Sequence, residues 1–177
     1  QTGCEERCAY CVIPSTRGAS RSRPIAELVA EIARVAASGF KEVTLTGVHL
    51  GSYGRDLEPR ASLDDLLRAV DAIPGDVTFR VSSLEPMDCT AEVVDLVAES
   101  PRLAPHFHLP LQHGSDEMLQ AMRGGNGYPA TIVGRSQIYR AFDEYLVRVS
   151  KPKDGGPSSF AGGEPPNRLC AGLDREH

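Results

Sequence analysis

One βαβ unit decides the fold: EVTLTG at residues 42–47, a helical segment at residues 63–73, and VTFRVS at residues 77–82. The two outer segments are short and rich in β-branched residues, which is typical of strands. Apolar residues between them recur at the spacing of one helical face, and Ser62 with Asp65 predicts a capping box at the start of that helix. Strands that alternate with helices about every 30 residues predict a parallel sheet.

The same alternation continues on both sides of this unit. Pro24 opens one helical pattern, Gly39 closes it, and Thr90 precedes another. The additional predicted elements are helices at residues 25–38, 91–99 and 115–122 and a strand at residues 107–111. We therefore assign the chain to the α/β class.

The composition excludes a disordered or membrane-embedded chain. Of the 177 residues, 41% are hydrophobic and 24% are charged, with 19 Lys and Arg against 24 Asp and Glu for a net charge of −5. No apolar run approaches the roughly 18 residues of a membrane-spanning helix, and residues 1–11 lack the pattern of a secretory signal. We expect a cytoplasmic protein.

A small basic patch interrupts this acidic background. Arg17, Arg21 and Arg23 lie within seven residues that contain no acid. A net negative charge does not indicate a nucleic-acid binder, but arginines clustered locally can contact phosphate. Two interpretations stay open for the patch, namely a phosphate contact and a solvated charged surface.

Three cysteines near the start of the sequence predict a metal centre. Cys4, Cys8 and Cys11 have the spacing C-x3-C-x2-C, and five cysteines in total do not suggest a disulfide framework. Cysteines normally ligate all four irons of a [4Fe–4S] cluster, so three of them leave one iron open for another ligand. The alternatives are a structural zinc site and incidental loop cysteines. Against zinc, Cys89 and Cys170 lack the partner cysteine that a zinc knuckle needs. A fourth zinc ligand could come only from a histidine brought close by long-range folding, namely His49, His106, His108 or His113.

This spacing, with Tyr10 before the last cysteine, resembles the radical S-adenosylmethionine (SAM) superfamily. Further stretches resemble its methylthiotransferases, and most of all the branch that acts on N6-threonylcarbamoyladenosine (t6A) in tRNA. They are IPSTRG at residues 13–18, SRSRP at 20–24, LTGVHLGSYGRDL at 45–57, RVSSLEP at 80–86 and HFHLPLQHGS at 106–115. The resemblance covers residues 1–123.

The resemblance implies a partial (βα)-type barrel with parallel strands, its first strand truncated and its last strands missing. Residues 1–123 would form this partial core. Residues 124–150 hold one predicted helix, on which Ile138, Phe142, Tyr145, Leu146 and Val149 share a face, and residues 151–177 read as a disordered Gly/Pro-rich tail. Since similarity and composition change together near Arg123, we expect a gene whose reading frame was lost there, with a divergent tail as the competing interpretation.

The resemblance also implies ligands for each cofactor. Cys4, Cys8 and Cys11 would bind the [4Fe–4S] cluster, and its open iron would chelate SAM, whose reductive cleavage gives a 5′-deoxyadenosyl radical. Residues predicted to contact SAM are Tyr10, Thr46, Gly47, Ser82, Ser83, Glu85, His108 and Gln112. Most of them follow predicted strands, and parallel sheets bind ligands at the carboxyl ends of their strands. Turn chemistry at Gly47, strand-end capping at Ser82 and Ser83, and core packing at Tyr10 and His108 are the structural alternatives.

The implied activity is insertion of a methylthio group at C2 of t6A, with a second SAM as methyl donor. The implied partners are tRNA and an electron donor such as a flavodoxin or ferredoxin. Two alternatives remain: a ribosomal-protein methylthiotransferase, and a non-catalytic iron–sulfur or zinc-binding module. An amino-terminal domain with a second cluster and a carboxy-terminal RNA-binding domain belong to the family pattern, and neither is found in this sequence. A partial barrel also leaves sheet edges unpaired, which argues against activity of this chain alone.

Overall fold

The computed structural model of the protein describes residues 1–110, 112–113 and 115–122. The predicted helix that carries Ile138 and Val149 and the predicted tail at residues 151–177 lie outside the described residues. The helices and strands in chain order are α1 (Ile13–Arg17), α2 (Ile25–Ala37), β1 (Glu42–Leu45), α3 (Leu63–Asp71), β2 (Thr78–Val81), α4 (Ala91–Glu99) and α5 (Asp116–Met122), with short 3₁₀ turns at Leu50–Ser52 and Pro86–Asp88.

The central βαβ unit is confirmed. β1 and β2 pair in parallel, with Glu42 opposite Thr78 and Leu45 opposite Val81, and α3 forms the crossover between them. The capping box at the start of α3 is also present, because Ser62 Oγ accepts the backbone N–H of Asp65 and the Asp65 carboxylate accepts the N–H of Ser62. The mixed helix and strand content with parallel strands agrees with the α/β assignment.

The strand predicted at residues 107–111 is only partly present. Beyond β2, the described chain makes two isolated parallel bridges, one from Phe79 to Leu103 and one from Ser83 to His108. A longer ladder would need a backbone N–H at each alternate position, and Pro110 has none. The segment therefore makes one bridge, from His108 to Ser83 just after β2, while Leu111 falls outside the described residues.

The core lies between the sheet and the helices that cover it. Leu67, Val70 and Phe79 are completely buried, and Leu84 and Val93 are 1% exposed. Burial of a Leu, Val or Phe side chain stabilises a fold by about 1.5–3 kcal/mol, so this cluster is the main support of the strand ends described below. Within the described part of the chain, no helix is both long enough and apolar enough to span a membrane.

Candidate functional site

The cysteine loop, residues 4–11, is held at both ends by backbone hydrogen bonds. Cys4 N–H donates to the carbonyl of Gly18 over 3.0 Å, and Ala9 N–H donates to the carbonyl of Met122 at the end of α5 over 2.6 Å. Gly3 has a φ of +70°, and a Cβ there would lie 2.0 Å from the carbonyl oxygen of Ala19. Only glycine allows the chain to enter the loop in this conformation and at this distance.

One cavity of about 280 Å³ joins the cysteine loop to the carboxyl ends of the parallel strands. Its walls come from the cysteine loop, from the segment after β1, from the segment after β2 and from residues near α5. Among the lining residues are Cys4, Cys8, Cys11, Tyr10, Gly47, His49, Ser83, Glu85 and Gln112. Strand-end residues and cysteines far apart in sequence thus share one concave site, as is usual for cofactor sites in α/β proteins.

Not every residue predicted to contact a cofactor lines this cavity. Thr46 and Ser82 follow their strands but do not contribute to the wall. His108 is exposed and lies behind Ser83, with its Nδ1 at 2.7 Å from Ser83 Oγ. Gln112 does reach the wall, with a φ of +62° that a non-glycine residue adopts only when its surroundings hold it there.

The chemistry of the three thiols suits an iron–sulfur cluster. Cys4 is buried, Cys8 and Cys11 are half-buried, and burial raises the pKa of the Cys4 thiol. The backbone N–H of Glu6 lies 3.4 Å from Cys4 Sγ, a contact that favours a thiolate. Among the described residues, no group of three or more His, Cys, Asp or Glu side chains is gathered around a single ion position. Thiolates are the usual ligands of iron–sulfur clusters, so the three cysteines of this loop are donors of the type that a cluster takes.

Tyr10 stands at the mouth of the cavity. The residue is 58% exposed, and its hydroxyl lies 3.5 Å from Gln112 Oε1, at the limit of a hydrogen bond. An exposed aromatic face beside a cavity is suited to stacking on a planar ligand group, because it buries apolar area on both partners.

His49 was not predicted to contact a cofactor, yet it lines the cavity and pairs with Asp88 in the segment after β2. Its Nε2 is 2.9 Å from Asp88 Oδ2, and the two side chains are only 12% and 10% exposed. The hydrogen bond to Asp88 raises the pKa of His49, against the opposing effect of its burial. Both residues follow neighbouring parallel strands, and that shared position was the only sign in the sequence that they would meet.

The basic patch is divided by the structure. Arg23 pairs with α2, its Nη1 lying 2.6 Å from Glu31 Oε2 and its Nε 3.9 Å from Glu27 Oε2. Arg17 ends α1 and is exposed, and Arg21 is exposed next to the antiparallel bridge it makes with Thr2. Two of the three arginines therefore face solvent close to the cysteine loop, and the third is engaged by acidic side chains.

Comparison with known proteins gives two kinds of match. The sequence profile of the radical SAM superfamily matches residues 1–142. A tRNA-2-methylthio-N(6)-dimethylallyladenosine synthase of Chloroflexus aurantiacus is 47% identical over 125 residues, which are 71% of this chain and 27% of that protein. A threonylcarbamoyladenosine tRNA methylthiotransferase of Thermotoga maritima is 40% identical over 123 residues, 69% of this chain and 28% of that protein.

A third relative has a protein substrate in its name. The ribosomal protein uS12 methylthiotransferase of a Nitratiruptor species is 37% identical over 150 residues, 84% of this chain and 34% of its own length. The chain thus spans about a quarter to a third of the length of the relatives it matches. Two of the three are methylthiotransferases by name and the third is named as a synthase of a 2-methylthio adenosine in tRNA, so the names differ in the molecule that is modified.

Proposed function

The chain belongs to the radical SAM superfamily, and on that premise we propose that residues 1–123 are part of the catalytic core of a tRNA methylthiotransferase. One observation carries the proposal. The three cysteines of the C-x3-C-x2-C loop line the same cavity as residues of the segments that follow the two parallel strands. Membership of the superfamily implies a [4Fe–4S] cluster and SAM as cofactors, and both must approach each other in one such cavity.

Cys4, Cys8 and Cys11 are the residues that would hold the cluster. When bound, the cluster supplies one-electron cleavage of a carbon–sulfur bond of SAM. Cluster binding requires thiolates, so the buried Cys4 must release its proton on loading, and the Glu6 N–H at 3.4 Å stabilises the resulting charge.

For SAM we propose the predicted residues that line the cavity: Tyr10, Gly47, Ser83, Glu85 and Gln112. The Ser83 hydroxyl and the Glu85 carboxylate supply polar partners at the end of β2, and Tyr10 supplies an aromatic face at the mouth. A Cβ on Gly47 would come within 3.0 Å of Gln1 Oε1, so the absence of a side chain keeps this edge of the cavity open. Thr46, Ser82 and His108 lie next to these residues, and we propose that they act through them, as His108 does in its hydrogen bond to Ser83.

As substrate we propose a tRNA adenosine that already carries a group on N6. The motif at residues 45–57 favours the threonylcarbamoyl group, whereas the 47% identity to a dimethylallyladenosine synthase favours the dimethylallyl group as second candidate. The exposed Arg17 and Arg21 lie beside the cysteine loop, where a guanidinium suits a phosphate of the RNA backbone. A small electron-transfer protein of the flavodoxin or ferredoxin type is the proposed reductant.

Anaerobic reconstitution of the 177-residue chain with iron and sulfide tests the cofactor assignment. The unpaired sheet edges argue against complete methylthio transfer by this chain, but cluster binding and SAM cleavage need only the cavity described above. We expect about four irons per chain and release of 5′-deoxyadenosine from SAM in the presence of dithionite. Replacing Cys4, Cys8 and Cys11 by Ala should abolish both, and Cys89→Ser, which removes a buried cysteine elsewhere, is the matched control. Stoichiometric zinc without SAM cleavage, or equal iron binding by the triple variant, would reject the proposal.

Modified nucleosides in tRNA from a strain that lacks the gene distinguish the substrates. Loss of 2-methylthio-t6A supports the threonylcarbamoyl substrate, and loss of the 2-methylthio dimethylallyl nucleoside supports the second candidate. Unchanged tRNA together with a mass loss on ribosomal protein uS12 would overturn the tRNA assignment.

A further inference from the structure

Three separate segments of the chain meet at His49 on the cavity wall. Its Nε2 is 2.9 Å from Asp88 Oδ2 in the segment after β2, and its Nδ1 is 4.0 Å from Glu6 Oε1 in the cysteine loop. On the far side, Arg55 Nη2 is 3.9 Å from Asp88 Oδ1. Acidic and basic groups therefore alternate in a chain of four, Glu6, His49, Asp88 and Arg55, which we call the charge chain.

The strength of the charge chain is concentrated at its centre. His49 and Asp88 are 12% and 10% exposed, whereas Glu6 is 37% and Arg55 is 63% exposed. Exposed ion pairs are weak because water and salt screen them. Removing one partner of a buried charged hydrogen bond lowers the free energy of unfolding much more. Asp88 raises the pKa of His49, and the charged imidazole has an N–H to direct at each of its two acidic neighbours.

The backbone around His49 is fixed as well. His49 N–H donates to Gln1 Oε1 over 3.0 Å, and Gln1 Nε2 donates to the carbonyl of Gly3 over 3.0 Å. Ser52 Oγ donates to the carbonyl of His49 over 2.8 Å. Gln1 thus links the segment after β1 to the residue that enters the cysteine loop. The backbone of His49 is therefore held at both its N–H and its carbonyl.

We infer that His49 is a positioning residue that fixes the cysteine loop against the carboxyl ends of β1 and β2. Through Glu6 and Gln1 it limits the motion of the loop, and through Asp88 it transfers that restraint to the sheet. A loop whose ligands are already placed loses less conformational entropy when a cluster binds, so the three thiolates bind it more tightly. This consequence for cluster binding rests on the proposed function, whereas the restraint itself does not.

Hydrogen exchange of the chain without cluster, followed by mass spectrometry, tests the restraint directly. Compared with wild type, His49→Gln and Asp88→Asn should speed exchange of the amides in residues 2–11 by on the order of tenfold, since the charged hydrogen bond is lost. Glu6→Gln, which removes an outer member of the charge chain, should give a smaller effect of about two- to threefold on the same amides. Asp71→Asn is the matched control, because Asp71 also accepts a short hydrogen bond, 2.6 Å from Ser100 Oγ, but contacts neither the cysteine loop nor the cavity wall.

Cluster loading supplies the second measurement. At limiting iron, His49→Gln should bind roughly a tenth as much cluster as wild type, and the low-temperature electron paramagnetic resonance spectrum of its reduced cluster should broaden because the thiolates sample several arrangements. Asp71→Asn should bind as much cluster as wild type and give the same electron paramagnetic resonance spectrum. If wild type itself takes up no cluster, the proposed function fails, and the exchange data still decide the restraint. Unchanged exchange in residues 2–11 of both Glu6→Gln and His49→Gln would overturn the inference, even if wild type loads fully.

Discussion

Gly51→Ala is the most direct test of how the two strand-end segments pack. Gly51 sits in the 3₁₀ turn after β1, and a Cβ there would lie 2.0 Å from Asp88 Cγ, 2.2 Å from its Oδ2 and 2.3 Å from its Cβ. Carbon atoms in contact are normally about 3.5–4.0 Å apart. Rotation of the Asp88 side chain leaves its Cβ in place, so the segments after β1 and β2 must move apart.

The cost in the free energy of unfolding follows from three contributions. Overpacking a close contact costs about 1–3 kcal/mol. Separation of the segments also breaks the hydrogen bond between His49 and Asp88, worth about 1.5–3 kcal/mol for a charged pair. Alanine restricts the unfolded chain and returns about 0.4–1 kcal/mol. We therefore expect Gly51→Ala to destabilise the chain by about 1.5–5.5 kcal/mol.

Urea denaturation followed by far-ultraviolet circular dichroism is the appropriate assay, because the sequence contains no tryptophan. The decisive measurement is the effect of Gly51→Ala on the free energy of unfolding in a protein that also carries Asp88→Gly. This second substitution removes all three of the nearest clashing atoms. There the cost should fall below about 1 kcal/mol, and the difference between backgrounds is the coupling energy of the two positions. An equal cost in both backgrounds would refute the explanation by contact with Asp88.

Three shorter predictions concern the core, the cavity wall and a buried thiol. Leu67→Ala should destabilise the chain by about 2–5 kcal/mol in urea denaturation, because Leu67 is completely buried; a loss below 1 kcal/mol would mean that the site is not packed as described. Because folding raises the pKa of His49, protonated His49 stabilises the fold fully below the ordinary histidine pKa of about 6.5. This stabilisation is lost as pH rises through the higher pKa of the folded state. The difference in free energy of unfolding between wild type and His49→Gln should accordingly shrink from pH 6 to pH 9, and a difference that grows with pH would contradict this sign. Burial raises the pKa of Cys89 to about 11, so at pH 8 iodoacetamide should modify it roughly a hundredfold more slowly than in the unfolded chain, which peptide mass spectrometry can follow; equal rates in both states would contradict its burial.

The helices were predictable because their signals are local. Pro24, Ser62 and Thr90 each stand immediately before a helix, at the position from which a residue can fix the first turn. The short helix α1 was missed, since its five residues are too few to show a periodic apolar face. It is held in place by its surroundings, as the hydrogen bond from Cys4 to Gly18 indicates.

The strands were less predictable at their ends, because a strand ends where its partner ends. β1 and β2 each stop at the residue opposite the end of the other, Leu45 and Val81, although the β-branched Thr46 follows β1 directly. The segment around His108 has the composition of a strand, but it contacts its neighbour at a single bridge with Ser83. Composition describes the residue, whereas a ladder requires donors and acceptors from two chain segments at the same register.

The candidate site likewise contains residues predictable from a local motif and residues that only the pairing of the strands brings together. The cysteine spacing is a local pattern, so the prediction that Cys4, Cys8 and Cys11 are cluster ligands needs only eight residues of sequence. The pair of His49 and Asp88 is separated by 39 residues and exists only because β1 and β2 end side by side. A shift of one residue in their register would turn alternate side chains to the other face and would separate the pair without altering the cysteine motif. The ligands of the proposed cluster are therefore encoded locally, while the placement of those ligands relative to the strand ends depends on the sheet.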